Sequence, residues 1–361
     1  MRIAFVIYGS LDQTSGGYLY DREVVRRLRG RGHMVEVVSL PTPASTIEAM
    51  LHNFDPATRE RLAGGGFDVI VQDELCHGSL ALLNRRVRRQ IKAPIVALVH
   101  HLKSSETLAV GQRAVVRRVE KRYLQTVHGL IVNSVTTGKT VERVLGADLP
   151  NVVARPSAAH RVGQDMSEED LRKASDGPLR LLFVGNLIPR KNLPTVLGAL
   201  RALKDVDWRL DIVGGGDLDP VHAEAMRQVA SPFGDRVTFH GRVDDDVLGG
   251  LFREAHVLVN PSQYEGYGII YLEAMAHGVI PVASTPGAPH EFITHRRDGF
   301  LVFPRDIDTL ALILRELSQN PAHRQIMATA ARQAYLAQPN WDDAAEAIEA
   351  FLLKLASQKA S

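Results

Sequence analysis

Short apolar runs recur along this chain, and almost every one leads through a turn into a helical pattern. Strands that alternate with helices cannot close as hairpins, so they line up in parallel sheets with helices on both faces. Ile3–Tyr8, His33–Leu40, Asp68–Gln72, Pro94–Val99, Gly129–Asn133 and Val152–Ala154 form a first set. The texture changes over 160–178, HRVGQDMSEEDLRKASDGP, which is polar, charged and without a core pattern. Leu179–Val184 restarts the alternation, and Trp208–Val213, Val237–His240, Val257–Val259, Val279–Ala283 and Phe300–Phe303 follow. The expected fold class is α/β: two doubly wound, Rossmann-like domains, 1–165 and 166–340, joined through that linker and facing a central cleft.

Length and composition agree with this. A chain of 361 residues suits two domains, and 45% hydrophobic with 23% charged residues is a soluble, globular balance. No apolar run reaches membrane-spanning length, and MRIAFVIYGS enters a strand directly, so no signal peptide is expected. The single cysteine, Cys76, excludes an internal disulfide and a cysteine-rich metal site. The cytoplasm is the simplest compartment. Charge is uneven: residues 1–165 hold 23 Lys and Arg against 15 Asp and Glu, whereas 166–361 hold 20 against 26. The basic first half suits an anionic surface or substrate.

One stretch carries most of the chemistry. Val257–Ser284 reads as strand, loop, helix, turn, strand, with Gly266 and Gly268 opening the backbone just before the helix Ile269–Ala276 and Gly278 ending it. A helix start preceded by small residues offers free N–H groups to an anion such as a diphosphate. Glu265 in the loop and Glu273 in the helix lie eight positions apart. Carboxylates accept hydrogen bonds from hydroxyls, which sugars and riboses supply. Amides for phosphate and acids for hydroxyls together suit a nucleotide sugar. Taken alone, the two glutamates read more readily as a solvated loop acid and a surface helix residue. EGYGIIYLE, however, resembles the E-x7-E signature of retaining glycosyltransferases with the two-domain GT-B fold, and is most similar to family 4.

That resemblance extends along nearly the whole chain and implies roles for further residues. The loop Gly9–Gly17 is not a G-x-G-x-x-G fingerprint; its paired Gly16 and Gly17 match a family loop beside the donor phosphates and acceptor. Pro94–Val99 delivers His100 and His101 at a strand's carboxyl end, where open α/β sheets bind ligands. The resemblance puts His100 against the donor sugar. The family often has Asp next, and His101 stands there instead, which leaves open which imidazole acts. Arg190 and Lys191 precede the helix Asn192–Leu200 and suit a diphosphate. Lys191 matches the family lysine; Asn186 replaces the usual arginine, and Arg190 is the candidate to compensate. Arg242 and Val243, just past Gly241, match the nucleobase contact. The last segment, 341–361, is expected to form a helix that crosses back to the first domain.

Three other features invite chemistry. Asp73, Glu74, Cys76 and His77 are adjacent but fit no zinc spacing, so a loop at the strand's carboxyl end is expected, with acceptor contact left open. Asp244, Asp245 and Asp246 open a helix, where acids cap the N-terminus, and no metal is expected there. The helix Val110–Gln125 places Val116, Val119 and Tyr123 on one face and crowds Arg113, Arg117, Arg118, Lys121 and Arg122 on the others. A solvated helix packed on its valine stripe, peripheral contact with an anionic membrane on its inner face, and an anionic acceptor are the three readings.

The resemblance implies a retaining hexosyltransferase that uses a UDP- or GDP-sugar and an acceptor hydroxyl. His100, Arg190, Lys191 and Glu265 are the catalytic candidates. Gly16, Gly17, Asn186, Arg242, Val243, Glu265, Gly266, Tyr267, Gly268 and Glu273 are the donor-binding candidates. No cofactor or metal is expected. A nucleotide-sugar epimerase, a sugar phosphorylase and a non-catalytic nucleotide-sugar binder are the alternatives. The missing glycine fingerprint disfavours a nicotinamide oxidoreductase, and basic residues with little aromatic interleaving disfavour nucleic acid.

Overall fold

The computed structural model describes residues 1–13, 15–158 and 177–360. It forms two compact units, Met1–Pro156 with Pro339–Ser361, and Ser157–Gln338. The expected domain boundary at 165/166 and nearly all of the expected linker lie outside the described residues.

The first unit is built on a six-stranded parallel sheet of β1 (Arg2–Tyr8), β2 (Met34–Leu40), β3 (Val69–Asp73), β4 (Ile95–Val99), β5 (Gly129–Val132) and β6 (Asn151–Val153), in the order β2-β1-β3-β4-β5-β6. β3, β4 and β5 are buried at every position, as strands covered on both faces must be. β1 pairs with β2 on one side and β3 on the other, so the chain reverses its winding there. Such a switch point leaves a crevice at the carboxyl ends of the strands. The helix Trp341–Ala360 belongs to this unit. Its Trp341 is buried edge-on to Tyr20, 5.4 Å between ring centroids, and the Tyr20 hydroxyl donates to Ala154 O (2.7 Å). Gly129 lets this helix lie against β5, since a Cβ there would meet Leu355 and Phe351 at 2.8 Å.

The second unit repeats the plan with β7 (Leu179–Val184), β8 (Trp208–Val213), β9 (Val237–Gly241), β10 (Val257–Asn260), β11 (Ile280–Ser284) and β12 (Phe300–Val302), in the order β12-β11-β10-β7-β8-β9. All its pairings are parallel, and the switch point lies between β7 and β10. Its core runs from Leu181 and Phe183 through Trp208 to Leu314 and Leu317.

Two expectations change in detail. The basic helix, Val110–Leu124, does not rest on a valine stripe alone: Glu120, Tyr123 and Leu124 are its buried residues, Val116 and Val119 are half-buried, and Val110 and Val115 are exposed. Glu120 is drawn inward because Ser104 N donates to it (3.0 Å). The helix expected at Asn192 starts one residue later, at Leu193, because Asn192 takes a left-handed conformation (φ 62°) to leave the 3-10 turn Pro189–Lys191. Among the described residues, no helix is long and apolar enough to cross a membrane.

Candidate functional site

At the second unit's switch point, the loops after β7 and β10 lock together. The β7–β10 ladder runs only through Val257 and Leu258, and Asn260 extends it with its side chain. Val184 N–H donates to Asn260 Oδ1 (3.1 Å), and Asn260 Nδ2 donates to Val184 O (2.5 Å). Asn192 Nδ2 reaches Pro261 O (2.8 Å), Gln263 N–H donates to Arg190 O (2.8 Å), and Arg190 Nη1 donates to Tyr264 O (3.1 Å).

Within this frame Lys191 Nζ donates to Glu265 Oε2 at 2.8 Å, and Arg190 stands 3.8 Å from the same oxygen. Their side chains are 14–25% exposed. Burial lowers the Lys191 pKa, and Glu265 partly offsets that. So the cations expected before the helix face Glu265 and the β10 loop. Glu265 is itself clamped: Ala288 N–H donates to its carbonyl (3.1 Å) and its own N–H reaches Pro286 O (3.3 Å). Only glycine fits at 287, where φ is +107° and a Cβ would lie 1.8 Å from Glu265 O.

The loop then enters the helix Ile269–Ala276 through Gly268 (φ +92°), with Tyr271 Oη fixed to Asn260 O at 2.6 Å. Gly266 is buried. Tyr267 is buried too, and its ring stacks on Phe292 at 4.9 Å, which leaves its backbone as the part that lines the loop. Glu273 is 2% exposed, so it is no surface residue. It is the one carboxylate of an otherwise apolar helix, and burying it without a purpose would be costly.

The ends of β7, β8 and β9 complete the edge. Gly185 and Gly214 adopt φ of +156° and +146°, and a Cβ on Gly214 would strike Gly185 O at 2.0 Å and approach Asn186 N at 3.1 Å. Asn186 is half-buried, and its carbonyl accepts from Ile188 N–H (2.8 Å). Arg242 pairs in the open with Asp217 (2.9 Å) above Gly215, while the half-buried Val243 packs against the core beside it. Asp244 caps the helix Asp245–Glu254 by accepting from Val247 N–H (2.8 Å).

At the first unit's switch point the structure gathers His100, Asp21 and Asp73. His100 Nε2 lies 3.1 Å from Asp21 Oδ1, and its backbone is held by Glu74 Oε2 (2.6 Å from N) and Asn133 Nδ2 (2.8 Å from O). Gly17 belongs to the first turn of the helix Gly16–Gly30 and closes over this ring, since a Cβ there would meet His100 Cδ2 at 3.2 Å; Gly16 faces open space. His101 turns elsewhere, to Glu106 Oε1 (2.9 Å). Burial pushes the Asp21 and Asp73 carboxyls up, each to about 8, and lowers His100. Cys76 is buried, and His77 Nδ1 contacts Glu74 O (2.8 Å). Asp21, Asp73 and His100 present ligand atoms within 4.8 Å of one another, spacing that would admit a cation. One oxygen of each carboxyl is engaged within the cluster: Asp73 Oδ1 accepts from Leu75 N–H (2.9 Å), and Asp21 Oδ1 faces the imidazole.

Residues 167–334 match the family model described as "Glycosyl transferases group 1". The phosphatidyl-myo-inositol mannosyltransferase of Mycobacterium tuberculosis is 29% identical over 348 residues, 86% of this chain and 85% of that protein. The second unit of the chain is thus similar to the group 1 glycosyltransferases, and the likeness to the mannosyltransferase extends along most of the chain. Two shorter matches agree. A GDP-mannose-dependent alpha-(1-6)-phosphatidylinositol monomannoside mannosyltransferase of M. tuberculosis is 34% identical over 183 residues, and an uncharacterized glycosyltransferase of Methanocaldococcus jannaschii is 31% identical over 172. Those alignments span 46% and 44% of the relatives' own lengths, less than half, and 48% and 47% of this chain. The fold is that of the GT-B enzymes. Sucrose-phosphate synthase from Thermosynechococcus elongatus superposes with a TM-score of 0.83 at 22% identity, covering 99% of both chains. Anabaena HepE in complex with UDP-glucose gives 0.72 at 18% identity, covering 100% of this chain and 98% of that one.

Sequence reasoning missed Asp21, Asn192 and Asn260. Asp21 had a signal: it shares the apolar helix face of Val24, Val25 and Leu28, where a charge needs a reason. Asn260 and Asn192 had none, because each acts on backbone 76 and 69 residues away.

Proposed function

We propose that this protein is a glycosyltransferase that moves a hexose, with retention of configuration, from a nucleoside diphosphate sugar to an acceptor hydroxyl. The observation that carries the reading is the pair of cations at the second unit's switch point, Lys191 and Arg190, sharing Glu265 beside the Gly268 helix start. In this reading the cations and the open helix N–H groups take up charge that develops on the departing diphosphate, and no metal is needed for that task. Glu265 holds the sugar hydroxyls and Glu273 the ribose. Arg242 and Val243 lie where the base would rest, and Gly16, Gly17 and His100 belong to the first unit's share of the reaction. Two relatives suggest the first probes: one carries GDP-mannose in its name, and HepE was solved with UDP-glucose.

We place the action in the cytoplasm. Arg113, Arg117, Arg118, Lys121 and Arg122 are all exposed, and this is the face where an anionic acceptor or membrane surface would meet the chain.

The test is thermal stabilisation by UDP, GDP, UDP-glucose and GDP-mannose, with and without Mg2+, on wild type and Glu273→Ala. A nucleotide at a hundred times its Kd stabilises by about 2.7 kcal/mol. One preferred diphosphate, insensitivity to Mg2+ and loss of the shift in the variant are expected. No shift with any nucleotide sinks the reading. The anomeric configuration of the product, read by NMR, tests retention separately.

A further inference from the structure

His100 is neutral in its buried setting and presents Nε2 to a carboxylate oxygen, 3.1 Å away. With the carboxyl proton on the side of Asp73, Asp21 Oδ1 can only accept, and Nε2 then carries the imidazole proton. Nδ1 is then the ring's acceptor. No described residue donates to it, and His100 retains 8% exposure at the carboxyl edge of β4. The backbone on either side is pinned by Glu74 and Asn133, so the ring has little freedom to swing.

Asp21 is in turn constrained. It is fully buried on the helix Gly16–Gly30, and Asp73 at the end of β3 lies within hydrogen-bonding reach of it. One oxygen of each carboxyl, Asp21 Oδ2 and Asp73 Oδ2, is buried without a donor. Two carboxylates cannot share a dry site with both charges intact, and a single proton between them meets both oxygens. Besides His100, the ionisable groups facing the pair are Glu74, Cys76, Tyr8, Tyr18 and Tyr123, none of them a cation.

We propose that Asp21 is a positioning residue for His100: its carboxyl, holding a proton in common with Asp73, takes the Nε2–H of the imidazole and leaves Nδ1 as the acceptor presented to a substrate hydroxyl. The contribution to turnover rests on the reading of His100 given under Proposed function; the tautomer does not. Orientation by a buried carboxylate fixes which nitrogen can act, and a positioned acid–base group contributes roughly a hundredfold or more to a rate.

The experiment uses the full chain with 15N-labelled histidine. Ring nitrogen shifts of His100, assigned by comparison with His100→Ala, are expected to show a protonated Nε2 and an unprotonated Nδ1. Asp21→Asn keeps an acceptor for Nε2–H at native volume and should keep that tautomer; Asp21→Leu should lose it. Turnover is read as nucleoside diphosphate released from UDP-glucose and from GDP-mannose. Asp21→Leu should lower kcat about tenfold with donor KM nearly unchanged, and should add no more than about twofold in a His100→Ala background, because residues acting through one another are not additive.

A proton on Nδ1 in the wild type overturns the proposal while leaving the function standing. So do multiplicative losses in the double variant. Displacement of the Nε2 proton signal by stoichiometric Zn2+ or Mn2+ also overturns it, since the cluster would then be a cation site. If the shifts are as expected but His100→Ala turns over like wild type, the functional reading of His100 has failed and the catalytic part of the proposal falls with it.

Discussion

Lys191→Met isolates Glu265 in a place where its side chain is 14% exposed. At 2.8 Å the direct attraction between the two charges is about 6 kcal/mol at an effective dielectric constant of 20. Burial nevertheless holds the Lys191 pKa below its ordinary value with Glu265 beside it, so desolvation absorbs that attraction. The intact pair therefore contributes little net stability, whereas a lone carboxylate keeps its desolvation and loses its partner. Breaking a buried pair costs about 3 kcal/mol. Arg190, 3.8 Å from the same oxygen, reduces that to about 2 kcal/mol, or a melting drop of about 4–8 °C for a unit of this size. Glu265→Gln should cost less, about 1 kcal/mol, because the amide oxygen can still accept from Lys191, whereas the methionine takes that donor away from Glu265. The double variant should return to within about 1 kcal/mol of wild type, a coupling of about 2 kcal/mol. Scanning calorimetry on the four proteins decides it. A double variant as unstable as the sum of the singles would refute the reasoning, because the pair would then be two independent surface charges.

The other predictions are simpler. Gly287→Ala puts a Cβ 1.8 Å from Glu265 O at φ +107°, so the loop must move; a loss of about 2–4 kcal/mol and of any nucleotide-induced melting shift is expected, and a variant that still shows the full shift argues against Glu265 as a donor group. Trp341→Ala removes a buried ring that packs on Tyr20 and should destabilise the first unit by about 3–5 kcal/mol, read as earlier protection loss in β1 and β5 by hydrogen exchange; a neutral result would mean the last helix is dispensable. The raised Asp21 and Asp73 pKa values set the sign of a pH effect. The folded state holds a proton that the unfolded state releases above about pH 4, so this stability is complete below that pH and is lost as pH rises towards about 8. Asp73→Asn, whose amide can donate where the shared proton sat, should therefore melt higher than wild type at pH 8.5 and converge with it near pH 5; parallel melting curves across that range would count against a shared proton.

Much of the molecule was legible before folding. Each strand was found within a residue or two, because a parallel strand buried on both faces must be apolar throughout and a turn must follow it. Glu265, Gly268 and Glu273 stood out for the same local reason: their spacing and their place at a helix start are properties of one short segment. The burial of Glu273 was not legible, since IIYLEAMA does not say which neighbours cover a helix on all sides.

What only the tertiary structure decided is pairing across the sheet edge. Lys191 meets Glu265 across 74 residues and His100 meets Asp21 across 79 because strand order brings β7 beside β10 and the helix after β1 over the end of β4. Local periodicity fixes which face a residue takes, but it carries no term for strand order. The twelve strands and the glutamate signature were thus written in single segments, while the ion pair, the clamp at Gly287 and the carboxyl-held imidazole exist only once the strands have found their neighbours.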